Sequence, residues 1–107
     1  MARRLEESGA EILARNVRVG ASEIDLVALE DGILAVVEVK FRSDTRFGRG
    51  DEAVDFRKRS RLRTAAVAYR ERAFPRGTKP PVRFDVALVS SGAGGDLEIE
   101  IIRDAFE

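Results

Sequence analysis

The sequence predicts an α/β fold, with a mixed β-sheet flanked by helices. Two apolar segments, residues 22–29 and 33–41, are joined by Asp31-Gly32, the strongest short-range signal for a β-hairpin. Residues 52–73 repeat apolar side chains with helical spacing, and two more strand-like segments follow. The order of elements is therefore helix, three strands, helix and two strands. A chain of 107 residues is expected to form one domain over residues 1–107.

The remaining elements are placed by helix-breaking residues and by apolar runs. Gly9 closes a short helix over residues 2–8. The long helix ends before Pro75, and the residues up to Pro81 are rich in proline and glycine, as expected of a linker. The other predicted strands span residues 11–19, 82–89 and 97–102, with a polar loop over residues 41–51 and a turn over residues 90–95.

Charged side chains are expected to collect on one face of the predicted hairpin, because side chains alternate between faces along a strand. In register from the turn, Asp25 lies opposite Glu38. Two residues further along, Glu23 lies opposite Lys40. Facing carboxylates about 4 Å apart repel by roughly 4 kcal/mol at an effective dielectric of 20. Either the two faces are solvated and carry ordinary salt bridges, or the acids hold a cation. The apolar run over residues 33–37 favours the second, since it is typical of a strand buried on both faces.

Composition restricts the chemistry that this cluster can perform. The chain has no cysteine and no histidine, which excludes disulfides, thiolate zinc sites and histidine-based triads. Any bound metal must be held by oxygen ligands, which favours Mg²⁺ or Mn²⁺. Lysine and arginine number 19 and so do aspartate and glutamate, so net charge does not indicate nucleic acid. No apolar run suits a membrane span or a signal peptide, and a cytoplasmic protein without membrane contact is expected.

The long predicted helix carries an ammonium group within its apolar stripe. The stripe consists of Val54, Leu62, Ala65, Ala66, Tyr69 and Ala73, with Lys58 in its middle. A buried ammonium needs a partner, so Lys58 either points at the carboxylates or extends to the rim. Arginines crowd the helix start and the loop before it: Arg42, Arg46, Arg57, Arg59, Arg61 and Arg63. They form either a solvated face or a surface that contacts phosphates.

These motifs together resemble a known family. Glu-x-Asp, about a dozen residues, then Glu-x-Lys at the end of an apolar strand is similar to the motif of the PD-(D/E)xK nuclease superfamily. The strings Glu23-Ile24-Asp25-Leu26, Val36-Val37-Glu38-Val39-Lys40-Phe41-Arg42 and Arg83-Phe84-Asp85-Val86 resemble the YraN family of small bacterial proteins, and the likeness covers nearly the whole chain. The resemblance implies a restriction-endonuclease-like fold, similar to that of Holliday-junction resolvases.

The resemblance also implies roles for individual residues. Asp25 and Glu38 match the metal-binding acids of the superfamily, and Lys40 matches its catalytic lysine. Glu23 belongs to the family's own motif, and Lys58 matches a helix residue that often faces such sites. These five residues are the predicted catalytic site, with Mg²⁺ or Mn²⁺ as the cofactor.

Two functions follow from this interpretation. The first is a metal-dependent endonuclease acting on branched or otherwise structured DNA. The alternative is a nuclease-fold protein that binds nucleic acid or a protein partner without catalysis. Family members usually carry a further acid in a longer first helix, which Glu6 and Glu7 do not match, and this favours the alternative. A homodimer is plausible, because junction resolvases act as symmetric pairs.

Overall fold

The computed structural model describes residues 2–7, 9–41, 55–91 and 93–107. Its elements are α1 (Ala2–Glu7), β1 (Glu11–Val19), β2 (Ser22–Glu30), β3 (Ile33–Phe41), α2 (Phe56–Ala73), β4 (Val82–Ser91), a short 3₁₀ turn (Ala93–Gly95) and β5 (Leu97–Phe106). The strands form one sheet in the order β1-β2-β3-β4-β5. β3 and β4 are parallel and the other neighbours are antiparallel. This is the predicted α/β mixed sheet, of the restriction-endonuclease-like kind.

The β2–β3 hairpin has the register predicted from its turn. Asp31 and Gly32 have φ of 51° and 76°, the left-handed pair that a tight two-residue hairpin turn requires. Cross-strand pairs run from Glu30 opposite Ile33 to Leu26 opposite Val37. The predicted burial of β3 is confirmed for residues 34–37, which are all buried in a strand that lies between two others. Ile33, next to the turn, is only half-buried.

Helix α2 packs on one face of the sheet and begins later than predicted. Asp55 is extended, with φ of −73° and ψ of 169°, and its side chain accepts a hydrogen bond from the Lys58 N–H at 2.9 Å. This N-cap starts the helix at Phe56 rather than at residue 52. Residues 52–54, with the predicted stripe member Val54, lie outside the described residues. Within α2 the buried stripe is Leu62, Ala65, Ala66 and Tyr69, as predicted. Ala73 is exposed, because it is the last residue of the helix.

The sheet has a buried core on each face. The α2 side is built from large side chains, among them Ile24, Val27, Leu34, Val36, Phe84 and Val86. The opposite side is thinner and built largely from small side chains: Leu5 of α1 with Ala10, Leu26, Ala28, Ala35, Val37 and Ala87. Neither of the helices described is long and apolar enough to cross a membrane.

The last two strands are longer than the sequence predicted. β4 continues through Ser91, and β5 continues to Phe106 instead of ending at residue 102. The register of β4 and β5 shifts between Phe84 and Val86, and Asp104 has a φ of 54°. This bulge returns the chain to the α2 side, where the Phe106 ring stacks on Phe84 at a centroid distance of 5.1 Å. The sequence predicted that β5 ends at residue 102 because the next two residues, Arg103 and Asp104, are charged and interrupt the apolar pattern.

Candidate metal and phosphate site

Strands β2 and β3 stop pairing at the position of Asp25. The last cross-strand pair is Leu26 with Val37, and beyond it the Val39 N–H donates a hydrogen bond to Asp25 Oδ2 at 2.9 Å. The Asp25 carboxylate therefore accepts the hydrogen bond that a backbone carbonyl of β2 would accept in a regular strand pair. This contact fixes Asp25 at the point where the two strands part.

The backbone around Asp25 departs from regular alternation. Ile24 and Val27 both pack in the core on the α2 side, although they are three positions apart and strict alternation would place them on opposite faces. Leu26 packs on the opposite side. In β1, Asn16 falls between the partners of Leu26 and Ile24, level with Asp25, and has a φ of 48°. Irregularities of this kind bend a strand and redirect a side chain. We attribute the inward position of the Asp25 carboxylate to this break.

Glu38 is the buried acid of the site. Its side chain is 4% exposed, and its Oε1 accepts a hydrogen bond from Lys58 Nζ. Lys40 Nζ lies 3.7 Å from the same oxygen. Burial raises the pKa of Glu38, the Lys58 hydrogen bond opposes this, and the negative charge of Asp25 raises the pKa further. The two acids are thus close enough to repel each other, and two ammonium groups offset that repulsion.

Lys58 points at the carboxylates, the first of its two predicted arrangements. Burial lowers the pKa of Lys58, but its hydrogen bond to Glu38 and the charge of Glu38 outweigh burial and raise it overall. Lys58 is therefore a charged ammonium at neutral pH. The pair joins the first turn of α2 to the middle of the sheet.

Glu23 does not face Lys40 as the regular hairpin register required. Its partner in register is Arg18 of β1, and its side chain is exposed. Its neighbour Ile24 packs on the α2 side, so strand alternation places Glu23 on the other face. No ion pair joins Glu23 to Lys40 in the part of the chain that the structure describes. The break at Asp25 explains this, because it uncouples Glu23 from the alternation of the hairpin.

The two carboxylates fit a divalent cation whose remaining ligands are waters or substrate oxygens. Within the described residues, no hydrogen bond uses Asp25 Oδ1 or Glu38 Oε2, so each acid offers one oxygen. No group of three acidic side chains that could hold a metal occurs in the described part of the chain. Mg²⁺ is commonly held by one or two carboxylates together with waters and substrate phosphates. Asp25 and Glu38 would hold the ion in that manner.

The predicted arginine surface divides into three groups. Arg42 and Arg46 lie outside the described residues. The two C-terminal residues engage two arginines of α2: the Arg59 guanidinium lies 5.2 Å from the Phe106 ring centroid, and Arg63 Nη1 donates to the Glu107 carbonyl at 2.6 Å. Arg57 and Arg61 are both exposed.

A second charged network, on β4, was not predicted. Asp85 is 1% exposed and accepts hydrogen bonds from Arg83 Nε and Nη2, both at 2.8 Å. Arg83 Nη2 also reaches Glu30 Oε1 at 2.9 Å, and Arg103 of β5 binds both Glu30 oxygens. This network ties the end of β2 to β4 and β5. The sequence feature that could have indicated this network is the pair Arg83 and Asp85, which lie two residues apart, on one face of an otherwise apolar strand.

The fold and the acidic pair together define an α/β protein of the restriction-endonuclease-like architecture. The chain belongs to the family described as uncharacterised protein family UPF0102, the YraN family, whose profile matches residues 1–89. It is 45% identical over 103 residues to a UPF0102 protein of Symbiobacterium thermophilum, covering 95% of this chain and 85% of that one. It is 47% identical over 106 residues to a UPF0102 protein of Solibacter usitatus, covering 97% and 77%.

Proposed function

We propose that this protein is a Mg²⁺- or Mn²⁺-dependent endonuclease acting on structured DNA. The observation that carries the proposal is the position of Asp25, which the Val39 N–H holds beside the buried Glu38 where β2 and β3 part. Two oxygen ligands where β2 and β3 stop pairing, with ammonium groups beside them, suit phosphodiester chemistry. A bound cation would supply charge neutralisation and polarise the phosphate.

The chain's own residues have separable tasks in this reaction. Asp25 and Glu38 hold the cation, with the Val39 carbonyl as a further oxygen nearby. Lys40, whose Nζ is 3.7 Å from Glu38 Oε1, orients the attacking water or stabilises charge that develops on the phosphate. Lys58 keeps Glu38 in place, because its hydrogen bond occupies one oxygen and leaves the other free to act as a ligand.

The test compares wild type with Lys40→Ala in cleavage and in binding of a four-way DNA junction with Mg²⁺ or Mn²⁺. A group that acts only in the transition state changes turnover and leaves ground-state binding alone. We expect the variant to lose cleavage while its Kd for DNA changes by less than about threefold. Lys79→Ala is the matched control, since Lys79 pairs with Glu71 at the far end of α2.

Metal binding is tested separately by calorimetry. Asp25→Ala together with Glu38→Gln should abolish Mn²⁺ binding, and retained binding would place the metal elsewhere. If wild type cleaves no structured DNA with either metal, the enzyme assignment is wrong.

The second candidate is a protein that binds nucleic acid without cleaving it. It is favoured by the scarcity of acidic ligands, because the described residues offer only two carboxylates and Lys58 already neutralises one of them. In that case Lys40→Ala lowers DNA affinity or stability, and there is no cleavage to lose. Homodimerisation stays a prediction, for which light scattering of the free protein is the measurement.

A further inference from the structure

The four arginines in the first half of α2 lie on two opposite flanks of the helix. At about 100° per residue, Arg57 and Arg61 are about 40° apart, as are Arg59 and Arg63, while the two pairs are about 200° apart. The contacts agree with this division. Arg59 and Arg63 meet Phe106 and the Glu107 carbonyl on the flank that faces β5.

The other flank borders a groove. Helix α2 and the turn between β1 and β2 enclose about 320 Å³, near the lower end of typical ligand-binding clefts. Val19, Ala65 and Ala68 contribute apolar surface. Arg61 lines the same groove together with Ser60. The groove thus combines an apolar floor with one exposed cation, and it contains no acidic side chain.

The groove shares both of its walls, β2 and α2, with the acidic pair and is separated from Asp25 by about 10 Å of strand. Ser22 lines it and lies three residues before Asp25 on β2. On α2, Arg61 follows Lys58 by three residues, about 4.5 Å along the helix axis. The Asp55 carboxylate, whose pKa is lowered first by its hydrogen bond from the Lys58 N–H, is also lowered by the charges of Arg61 and Arg57. Both arginines therefore lie near the start of α2, close to the proposed site.

We propose that this groove receives the nucleic-acid strand next to the phosphodiester at Asp25 and Glu38, with Arg57 and Arg61 contacting its phosphates. The inference rests on the proposed function and adds the path of the substrate. Guanidinium groups suit phosphate oxygens because they donate paired hydrogen bonds. The groove has no aromatic side chain on which a base could stack, so its expected contacts are with sugar and backbone, which carry no sequence information.

The test is a matched pair of double variants. Arg57→Gln with Arg61→Gln, and Arg59→Gln with Arg63→Gln, each remove two positive charges from the same helix and leave the acids and lysines of the site unchanged. The Kd of a four-way junction is measured by fluorescence anisotropy at several salt concentrations, with EDTA present so that cleavage plays no part. Circular dichroism confirms that each variant is folded.

The first variant should lower the slope of log K against log salt by about 1.4 to 1.8, the value for two lost phosphate contacts. Extrapolated from 1 M to 0.1 M salt, this corresponds to a loss of affinity of about 20- to 60-fold. The second variant should keep the wild-type slope and lose less than about threefold. Equal losses of junction affinity in both variants would overturn the proposed path through the groove, because they would reflect only the total charge of the helix.

A second comparison tests the groove without changing charge. Ala68→Leu fills the floor and should weaken junction binding at least about tenfold, with an unchanged salt slope. Val67→Leu, at an exposed neighbouring position outside the groove, should bind as wild type does. Unchanged affinity of Ala68→Leu would overturn the proposed path while leaving the endonuclease proposal intact. If wild type binds no DNA at any salt concentration, the proposed function fails first.

Discussion

Protonation of Glu30 should destabilise the fold, because its carboxylate is held by two arginines. Glu30 Oε1 accepts hydrogen bonds from Arg103 Nε and Arg83 Nη2, both at 2.9 Å, and Oε2 accepts one from Arg103 Nη2 at 3.0 Å. The Arg103 hydrogen bonds, opposed by burial and assisted by Arg83, lower the pKa of Glu30 from 4.5 to about 2. Such a shift corresponds to about 3.4 kcal/mol of stability.

We expect a smaller measured value of about 2 to 3 kcal/mol, because the Arg103 side chain is 45% exposed and solvent screens its contribution. The sign follows from the direction of the shift. Folding lowers the pKa of Glu30, so the stabilisation is present above pH 4.5 and is lost as pH falls towards 2. Glu30→Gln lacks the carboxylate and therefore lacks this pH dependence.

The assay is urea unfolding of wild type and Glu30→Gln between pH 7 and pH 2.5. The difference in unfolding free energy should be about 2 to 3 kcal/mol at pH 7 and should fall below about 1 kcal/mol at the acid end. Glu71→Gln is the control, since Glu71 is 57% exposed and its 3.4 Å pair with Lys79 is a surface contact, worth about 1 kcal/mol at most. A difference that stays constant with pH would refute the role of the Glu30 charge.

Two further predictions concern the elements that position the site. Leu62→Ala should lower the free energy of unfolding, measured by urea denaturation, by about 3 to 5 kcal/mol, because Leu62 is 3% exposed in the core beneath α2. Val67→Ala is the control: at a 49% exposed position it should cost less than about 1 kcal/mol in the same assay. Gly32→Ala should cost about 1 to 2 kcal/mol through backbone strain alone, since φ is 76° and an added Cβ meets no atom within 4 Å; a stability equal to wild type would contradict this.

Local patterns were sufficient for most of the elements and for the hairpin. The Asp31-Gly32 turn fixes the register of β2 and β3, because turn geometry leaves no freedom to slip without moving buried side chains to the other face. Lys58 was identified as unusual because it interrupts an apolar stripe, and its partner proved to be Glu38. Residue types and spacing were informative in both cases because the relevant neighbours lie within one element or across one short turn.

Predictions failed where strand geometry departs from its ideal form. The expected pairing of Glu23 with Lys40 assumed strict alternation, which breaks at Asp25 and at the left-handed Asn16 level with it. The end of β5 was misplaced for the same reason, because the bulge at Asp104 restores pairing after an interruption that looks like a strand end. A bulge changes which face each later residue occupies, and the sequence carries no direct sign of it.

The sequence by itself determined the α/β class, the positions of the two acids on neighbouring strands, and the oxygen-only chemistry open to a chain without histidine or cysteine. Tertiary structure alone decided which charges meet. Arg83 and Arg103 reach Glu30 from 53 and 73 residues away. The C-terminal residues Phe106 and Glu107 engage Arg59 and Arg63, while Arg61 lines the groove and Arg57 is exposed. Helical spacing predicts that the four arginines divide between two flanks, but only the contacts of the C-terminal residues with one flank determine which pair remains exposed.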